Sequence, residues 1–114
     1  MAKNQVTYLE LPTEDTAVLK AFYGQVFGWT HQDWGSEYAT VHGSGLEIGY
    51  NGTEDGRSKA PLPMVETDDI AAAEEQVRAA GGTITVPTFA YPGGRRFHFT
   101  DPAGNELAVM QPGA

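Results

Sequence analysis

Two histidines and one glutamate are the side chains of this sequence best suited to metal binding or proton transfer: His42, Glu47 and His98. Imidazole nitrogens and carboxylate oxygens ligate metal ions when they converge, and both groups can carry protons. Glu47 could also act without a metal, as a base on a carbonyl compound. Each residue has an ordinary alternative, because strand histidines are commonly exposed or hydrogen bonded to a neighbour and a glutamate can simply be solvated. The elements that carry these side chains decide whether they meet.

Composition excludes several other chemistries. The 114 residues contain no cysteine, so the chain has neither a disulfide nor a thiolate metal site. Its serines lie in turns or in a polar linker and lack the local motif of a serine nucleophile. The net charge of −8 at pH 7 argues against nucleic-acid binding, which needs a positive surface. An acidic protein attracts cationic ligands instead.

No segment predicts membrane insertion or export. No apolar run approaches the ~20 residues that a membrane-spanning helix requires. The first residues, Met-Ala-Lys-Asn, lack the apolar region of a secretion signal. We therefore expect a cytoplasmic protein with no membrane partner.

The first half of the chain predicts one strand, one helix and three further strands. Alternating apolar residues indicate a strand at 6–11, which Pro12 ends because proline cannot donate to a ladder. Asp15 can cap a helix over 16–27, and Gly28 can end it in the left-handed region. The core-facing stripe of this helix is predicted to be Leu19, Phe22, Tyr23 and Val26. Short turns then separate antiparallel strands at 29–34, 37–42 and 46–50.

The second half repeats this order. Its strand, helix and three strands are predicted at 62–66, 70–80, 83–91, 95–100 and 106–110. The helix caps Asp15 and Asp69 are 54 residues apart, and so are the helix-ending glycines Gly28 and Gly82. The matched spacing predicts an internal duplication within a single domain over 1–114. Its modules are about 1–52 and 62–114, joined by a linker at about 53–61.

Five stretches of the sequence resemble the vicinal oxygen chelate superfamily, which includes glyoxalase I, the bleomycin resistance proteins and the extradiol dioxygenases. They are LELPTED, AFYGQVFGW, GLEIGYN, AAEEQVRAAGG and FHFTDPAGNELAVMQ. The resemblance covers almost the whole chain and implies an α+β fold. Two βαβββ modules would form a curved mixed sheet around a groove, with the helices on the outer face. A homodimer is also implied, because members are commonly dimers.

The resemblance also locates a metal site, whose ligands come from the first and last strands of each module. The matching positions are Tyr8, Glu47, Leu62 and Ala108. Only Glu47 is a competent ligand, since a neutral tyrosine is a poor one and leucine and alanine have no donor atom. A divalent ion normally needs three or four protein ligands. We therefore expect no metal and no other cofactor, unless His42, Glu47 and His98 form an irregular set.

Strand alternation predicts the lining of the groove. Apolar residues on one face of each strand should pack under the helices, and a mixed set should face the groove. Aromatic and apolar area with a few polar anchors is typical of ligand pockets. The candidate ligand-binding residues are Tyr8, Trp29, Trp34, Tyr38, His42, Glu47, Met64, His98 and Met110. The tyrosines and tryptophans could instead pack in a core or at a dimer contact, and no catalytic residue is assigned.

Three functions compete. We favour a metal-independent small-molecule binding protein of the bleomycin-resistance type, which sequesters an aromatic or cationic ligand. Its negative potential would come from Glu10, Glu47 and Glu66. The second is a glyoxalase-like lyase or dioxygenase-related enzyme that acts on a small carbonyl compound. The third is a regulatory or structural dimer that binds no ligand.

Overall fold

The computed structural model describes residues 3–113, which fold into two helices and eight strands in the order βαβββ, βαβββ. The α+β class and the repeated module are therefore confirmed. In chain order the elements are β1 (Gln5–Pro12), α1 (Thr16–Phe27), β2 (Thr30–Asp33), β3 (Tyr38–His42), β4 (Glu47–Asn51), β5 (Leu62–Glu66), α2 (Ile70–Ala79), β6 (Thr83–Tyr91), β7 (Gly94–Thr100) and β8 (Glu106–Pro112). Within residues 3–113, neither helix is long and apolar enough to cross a membrane.

The chain divides into two compact units. The first unit is Tyr8–Leu62, and the second contains the described residues up to Thr7 together with those from Pro63 to residue 113. The start of β1 thus belongs with the second unit, where the backbone N–H of Asn4 donates to the carbonyl of Glu66 at 2.7 Å.

The first unit builds a mixed four-stranded sheet with strand order β2-β3-β4-β1. β1 pairs with β4 in parallel, whereas β2, β3 and β4 pair as antiparallel neighbours. The face under α1 is the apolar one, as the alternation predicts. Its buried core is Ala39, Val41, Ile48 and Tyr50, against which Leu9, Leu11, Leu19, Tyr23 and Trp29 pack.

The second unit builds the same arrangement, with strand order β5-β8-β7-β6. β5 pairs with β8 in parallel, and β7 pairs with both β8 and β6 antiparallel. Ile70 of α2, Phe97 and Val109 are the buried centre of its core. In both units the helix covers one face of the sheet, which leaves the opposite face to carry polar side chains.

The helix caps follow the sequence closely, with one difference. The carboxylate of Asp15 accepts from the N–H of Ala17 at 2.9 Å, and that of Asp69 accepts from Ala72 at 3.1 Å. α1 ends at Gly28 with φ of 74°, in the left-handed region. In α2 the glycine with positive φ is Gly81, at 99°, one residue before the predicted match.

The predicted apolar stripe of α1 is half wrong. Leu19 and Tyr23 pack on the core, but Phe22 and Val26 are 55% and 52% exposed. Residues 19 and 23 lie one turn apart and face the sheet, so the neighbouring row of the helix points outward. Trp29 supplies the missing contact, because its ring stacks on Tyr23 with 5.2 Å between centroids.

Candidate functional site

A buried carboxylate is the centre of the polar face in the first unit. In the parallel pairing of β1 with β4, Tyr8 lies opposite Glu47 and Glu10 opposite Gly49. β3 brings Tyr38 opposite Asn51. We call Tyr8, Glu10, Tyr38, Gly49 and Asn51 the carboxylate cluster. Three strands that are distant in sequence therefore contribute side chains to one place on one face of the sheet.

Hydrogen bonds link the cluster in a row. Glu10 is only 2% exposed, and its Oε1 accepts from Nδ2 of Asn51 at 3.0 Å. The Tyr38 hydroxyl donates to Oε2 of Glu10 at 3.0 Å. The hydroxyl oxygens of Tyr38 and Tyr8 are 2.7 Å apart. Burial of an ionised carboxylate is costly without such donors, so the row stabilises a charge that the apolar core could not hold.

Asn51 is held in one orientation by the loop that follows β4. Its Oδ1 accepts from the N–H of Thr53 at 2.9 Å and from the Thr53 hydroxyl at 2.6 Å. Its Nδ2 also approaches the carbonyl of Gly56 at 3.3 Å. The amide nitrogen must therefore point toward Glu10, because the amide oxygen already has two donors.

Gly49 makes room for the two tyrosines. A Cβ atom added at this position would lie 2.1 Å from the hydroxyl oxygens of both Tyr8 and Tyr38. No real Cβ contact is that short, so any side chain at residue 49 would displace the hydroxyl pair. The absence of a side chain here is what allows the row of hydrogen bonds to close over β4.

Burial keeps Tyr38 protonated. Desolvation is the largest cause that raises the pKa of its phenol well above the ordinary value, and the nearby charge of Glu10 is the second. The Tyr8 hydroxyl adds a smaller effect in the same direction. Tyr38 is therefore a hydrogen-bond donor throughout the physiological pH range.

An exposed tryptophan stands on the same face. The indole of Trp34 is 58% exposed, and its Nε1 donates to the hydroxyl of Thr40 at 2.9 Å. Thr40 is the register partner of Gly49, so the indole belongs to the polar face near the hydroxyl pair. His42 and Glu47 are exposed at the ends of β3 and β4, two residues from Thr40 and Gly49 and thus on the same face.

A second polar cluster lies in the second unit, and it is built around a cation. The guanidinium carbon of Arg96 lies 5.6 Å from the ring centre of Phe89 and 5.2 Å from that of Tyr91. Its Nη1 is 3.8 Å from the sulfur of Met64, and the Tyr91 hydroxyl is 3.6 Å from that of Met110. We call these five residues the arginine cluster. Arg96 is 7% exposed, so aromatic faces and a thioether sulfur lie against a buried charge.

His98 lies beside this cluster on β7. The imidazole is 6% exposed, and its Nδ1 is 3.4 Å from Oε2 of Glu106. Its ring centre is 6.1 Å from that of Phe89. In the register His98 is opposite Ala108, and Arg96 is opposite Met110. The predicted residues Met64, His98 and Met110 therefore share one face of the second unit.

Trp29 does not join the other candidates. β2 begins one residue later, at Thr30, and the Trp29 indole lies on the helix side, 5.1 Å from the ring of Phe27. Three buried residues were not among the predicted ligand-binding residues, namely Glu10, Asn51 and Arg96, although Glu10 was expected to contribute negative potential. Arg96 lies in the strand predicted at 95–100, and β7, which begins at Gly94, includes it. The alternation of Arg96 with Phe97 and His98 would have identified it.

The side chains present do not fit the metal site that the family resemblance implies. Tyr8 and Glu47 are register partners, but the hydroxyl of Tyr8 is hydrogen bonded to that of Tyr38. In the second unit Ala108 lies opposite Met64, two residues beyond the expected Leu62. Among residues 3–113 no group of three or more His, Asp or Glu side chains could hold a metal ion.

Sequence comparison places the chain in a family. Residues 5–109 match the Glyoxalase/Bleomycin resistance protein/Dioxygenase superfamily, and the chain belongs to it. Two mycobacterial proteins, from Mycobacterium bovis and Mycobacterium tuberculosis, are 28% identical over 115 residues and carry the name "Putative glyoxylase CFP32". The match covers 91% of this chain but 44% of each relative, so the chain spans less than half of their length.

Solved structures share the fold. A structure described as an NAD-dependent benzaldehyde dehydrogenase from Legionella pneumophila has a TM-score of 0.76 at 12% identity, over 93% of this chain and 98% of that one. The Mn(II)-bound glyoxalase from Novosphingobium aromaticivorans has a TM-score of 0.68 at 21% identity, over 96% of this chain and 39% of that one. At such identities the likeness establishes the fold alone, because one fold can support many different functions.

Proposed function

We propose that this protein binds a small aromatic or cationic molecule without a metal ion, in the manner of the antibiotic-sequestering members of its superfamily. The observation that carries the proposal is the row Glu10–Tyr38–Tyr8 beside the exposed indole of Trp34. It combines a preorganised polar anchor with an aromatic platform, the two parts that a small-molecule site needs.

Charge favours a cation at this site. The net charge of −8 raises the local concentration of cationic ligands. Glu47 is exposed on the same face as Trp34, and an indole face attracts ammonium and guanidinium groups. Stacking on the indole would contribute roughly 0.5–1.5 kcal/mol beyond the burial of apolar area.

The remaining predicted contacts are distributed over both units. Tyr8, Tyr38 and His42 belong to the first unit, and Met64, His98 and Met110 share a face of the second. A ligand contact at each of these residues stays a prediction. Trp29 is the weakest of the nine candidates, because its ring is part of the helix-side packing.

Thermal shift with a defined panel tests the proposal. The panel contains bleomycin, hydrophobic aromatic amines and, as anionic controls, aromatic carboxylates. Because a ligand that binds only the native state raises the melting temperature, we expect a saturable rise with the cations that excess EDTA leaves unchanged. The variant Trp34→Ala should weaken binding, whereas Val26→Ala, which shortens an exposed side chain of α1, should not. No rise with any compound, or a rise abolished by EDTA, would contradict the proposal.

An enzyme is the alternative, and one observation favours it. The two mycobacterial relatives are named as glyoxylases, although the match covers only 44% of their length. A glyoxalase-like activity would appear as consumption of methylglyoxal in the presence of glutathione, and it should depend on an added divalent metal. Turnover that Glu47→Ala abolishes would put the enzyme first.

We also propose a homodimer in the cytoplasm. Support for self-association comes from the apolar side chains that α1 exposes: Val18, Phe22 and Phe27 are 62%, 55% and 60% exposed. Such a patch gains free energy when a second copy covers it. Sedimentation should show a species of twice 12.3 kDa at micromolar concentration, and a purely monomeric profile would contradict the proposal.

A further inference from the structure

We infer that Thr40 sets the ligand preference of this site by engaging the indole N–H of Trp34, so that Trp34 offers a ligand its ring face and no hydrogen-bond donor. The group that stacks there is then a flat cation, in preference to a flat neutral compound that needs a donor for its carbonyl oxygen. The inference rests on the proposed function and narrows the class of ligand. Because Thr40 acts through Trp34, it is a positioning residue.

The hairpin of β2 and β3 places the two side chains next to each other. Gln32 is the register partner of Thr40, and the backbone N–H of Trp34 donates to the carbonyl of Tyr38 at 2.9 Å. Trp34 thus continues the pairing just beyond the end of β2 and lies diagonally across from Thr40 on the same face. Diagonal neighbours on paired strands are within reach of an aromatic side chain.

Hydrogen bonds fix Trp34 at its backbone and at its ring. Besides the backbone bond to Tyr38, its Nε1 donates to the hydroxyl of Thr40 at 2.9 Å. Threonine is branched at Cβ, which restricts the rotation of the accepting hydroxyl. The register partner of Thr40 on β4 is Gly49, which adds no side chain beside that hydroxyl. A ring fixed at two points loses little freedom when a ligand stacks on it, and this preorganisation favours binding.

The engaged N–H decides what the ring can recognise. An indole has one polar hydrogen and accepts no hydrogen bond, and Thr40 takes that hydrogen. The Trp34 side chain is nevertheless 58% exposed, and apart from Nε1 it consists of carbon, so a ligand meets apolar ring surface. Such a surface attracts cations and flat rings. A carbonyl oxygen placed against it would lose its hydrogen bonds to water without a replacement.

Two flat probes of similar shape separate these kinds of recognition. N-methylquinolinium is a cation that neither donates nor accepts a hydrogen bond, whereas N-methyl-4-quinolone is neutral and has a strong carbonyl acceptor. With the wild-type protein, calorimetry should give a dissociation constant at least about tenfold lower for the quinolinium, because the indole face and the negative charge of the protein both favour it.

The variant Thr40→Val keeps the shape of residue 40 and removes the hydroxyl. The indole can then rotate, and its N–H can donate to a ligand. Both probes lose the benefit of a fixed ring, so the dissociation constant of the quinolinium should rise about threefold or more. Only the quinolone gains a hydrogen bond, so the ratio of the two constants should move toward it by about three- to tenfold. The net charge is unchanged, so electrostatic attraction cannot cause this shift.

A spectroscopic measurement tests the geometry without a ligand. The protein has two tryptophans, so labelled protein gives two indole N–H signals, and Trp29→Phe identifies that of Trp34. In Thr40→Val this N–H should exchange faster with solvent and its proton resonance should move upfield. Thr40→Ser restores the acceptor and should return both the signal and the binding ratio close to wild type. Thr85→Val makes the same change at an exposed strand residue of the second unit and should alter neither.

The outcomes distinguish this inference from the proposed function. An unchanged Trp34 N–H signal, an unchanged ratio in Thr40→Val, or a wild-type protein that prefers the quinolone overturns the inference. Thr40→Ala gives the same test should the valine variant fail to fold. If the quinolinium does not bind but a cation of the thermal-shift panel does, the inference alone fails. If neither probe and no panel compound binds, the proposed function fails as well.

Discussion

The two units share one topology and bury opposite charges. In the first unit, the carboxylate of Glu10 is held by a hydroxyl and an amide at 3.0 Å. In the second, the guanidinium of Arg96 is 5.2 and 5.6 Å from two aromatic ring centres. The same backbone therefore places an anion among hydrogen-bond donors in one unit and a cation against π faces in the other.

This difference predicts how strongly a substitution in each unit should change the stability of the protein. Directed hydrogen bonds depend on the position of every atom in the row, so a small displacement should be costly. Contacts of a cation with aromatic faces tolerate shifts of several tenths of an ångström, because the attraction varies slowly with distance. Substitutions in the carboxylate cluster should thus have larger effects than conservative ones in the arginine cluster.

Of these substitutions, Gly49→Ala should lower the free energy of unfolding the most. The added methyl group would lie 2.1 Å from both tyrosine hydroxyls, so the row must break or the strands must move. Overpacking of this kind costs about 2–3 kcal/mol, and the loss of hydrogen bonds adds to it. Urea unfolding measures the change.

Gly24→Ala is the matched control for Gly49→Ala. A Cβ atom at Gly24 meets nothing closer than 3.5 Å, and the residue lies inside α1. Alanine should stabilise the helix by about 0.5–1 kcal/mol. Equal costs for the two substitutions would show that the hydroxyl pair is not the cause.

The raised pKa of Tyr38 should make the protein less stable at alkaline pH. Its folded-state pKa is raised, so above about pH 10, the ordinary tyrosine pKa, the unfolded chain loses a proton that the folded chain keeps. The free energy of unfolding therefore falls as pH rises through that range, by about 1.4 kcal/mol per pH unit for each such group. Tyr38→Phe removes one such group, so the free energy of unfolding should fall less steeply with pH. Tyr50, whose pKa is raised to about 12, contributes in both proteins. Parallel curves would refute this assignment.

Arg96→Lys should lower the free energy of unfolding by less than Gly49→Ala does, by about 1 kcal/mol. A lysine keeps the charge but loses the planar group that lies over Phe89 and Tyr91. Arg95→Lys is the control, because Arg95 is exposed on the opposite face of β7 and should change stability by less than about 0.5 kcal/mol. A loss for Arg96→Lys as large as that of Gly49→Ala would remove the contrast between the two units.

The fold could be predicted from local features, and the site only in part. Asp15 and Gly28 mark the ends of α1 within a few residues of chain, so its bounds follow from sequence. Glu10 depends on Tyr38 and Asn51, which are 28 and 41 residues away, and only the strand register brings them together.

The direction or burial of three side chains could not be predicted from the sequence, each for a local reason. Trp29 precedes β2 by one residue, so the alternation of that strand does not govern its direction. The period of α1 is compatible with two neighbouring rows of side chains facing the core. Only the row of Leu19 and Tyr23 packs on the sheet, and Phe22 is exposed. The burial of Arg96 was not predicted, because an arginine in a strand is ordinarily expected at the surface.

Trp34→Ala should have the smallest effect on stability and a clear effect on binding. The indole is 58% exposed and makes one hydrogen bond, to Thr40, so its loss should change the free energy of unfolding by less than about 0.5–1 kcal/mol. The exposed indole is the aromatic platform of the proposed ligand site. Calorimetry with a cationic ligand from the thermal-shift panel should therefore show about tenfold weaker binding, which corresponds to the loss of roughly 1.4 kcal/mol of stacking. Trp34→Phe keeps an aromatic face and should recover part of the affinity. A variant that binds normally but unfolds easily would show that Trp34 stabilises the fold and that the ligand lies elsewhere.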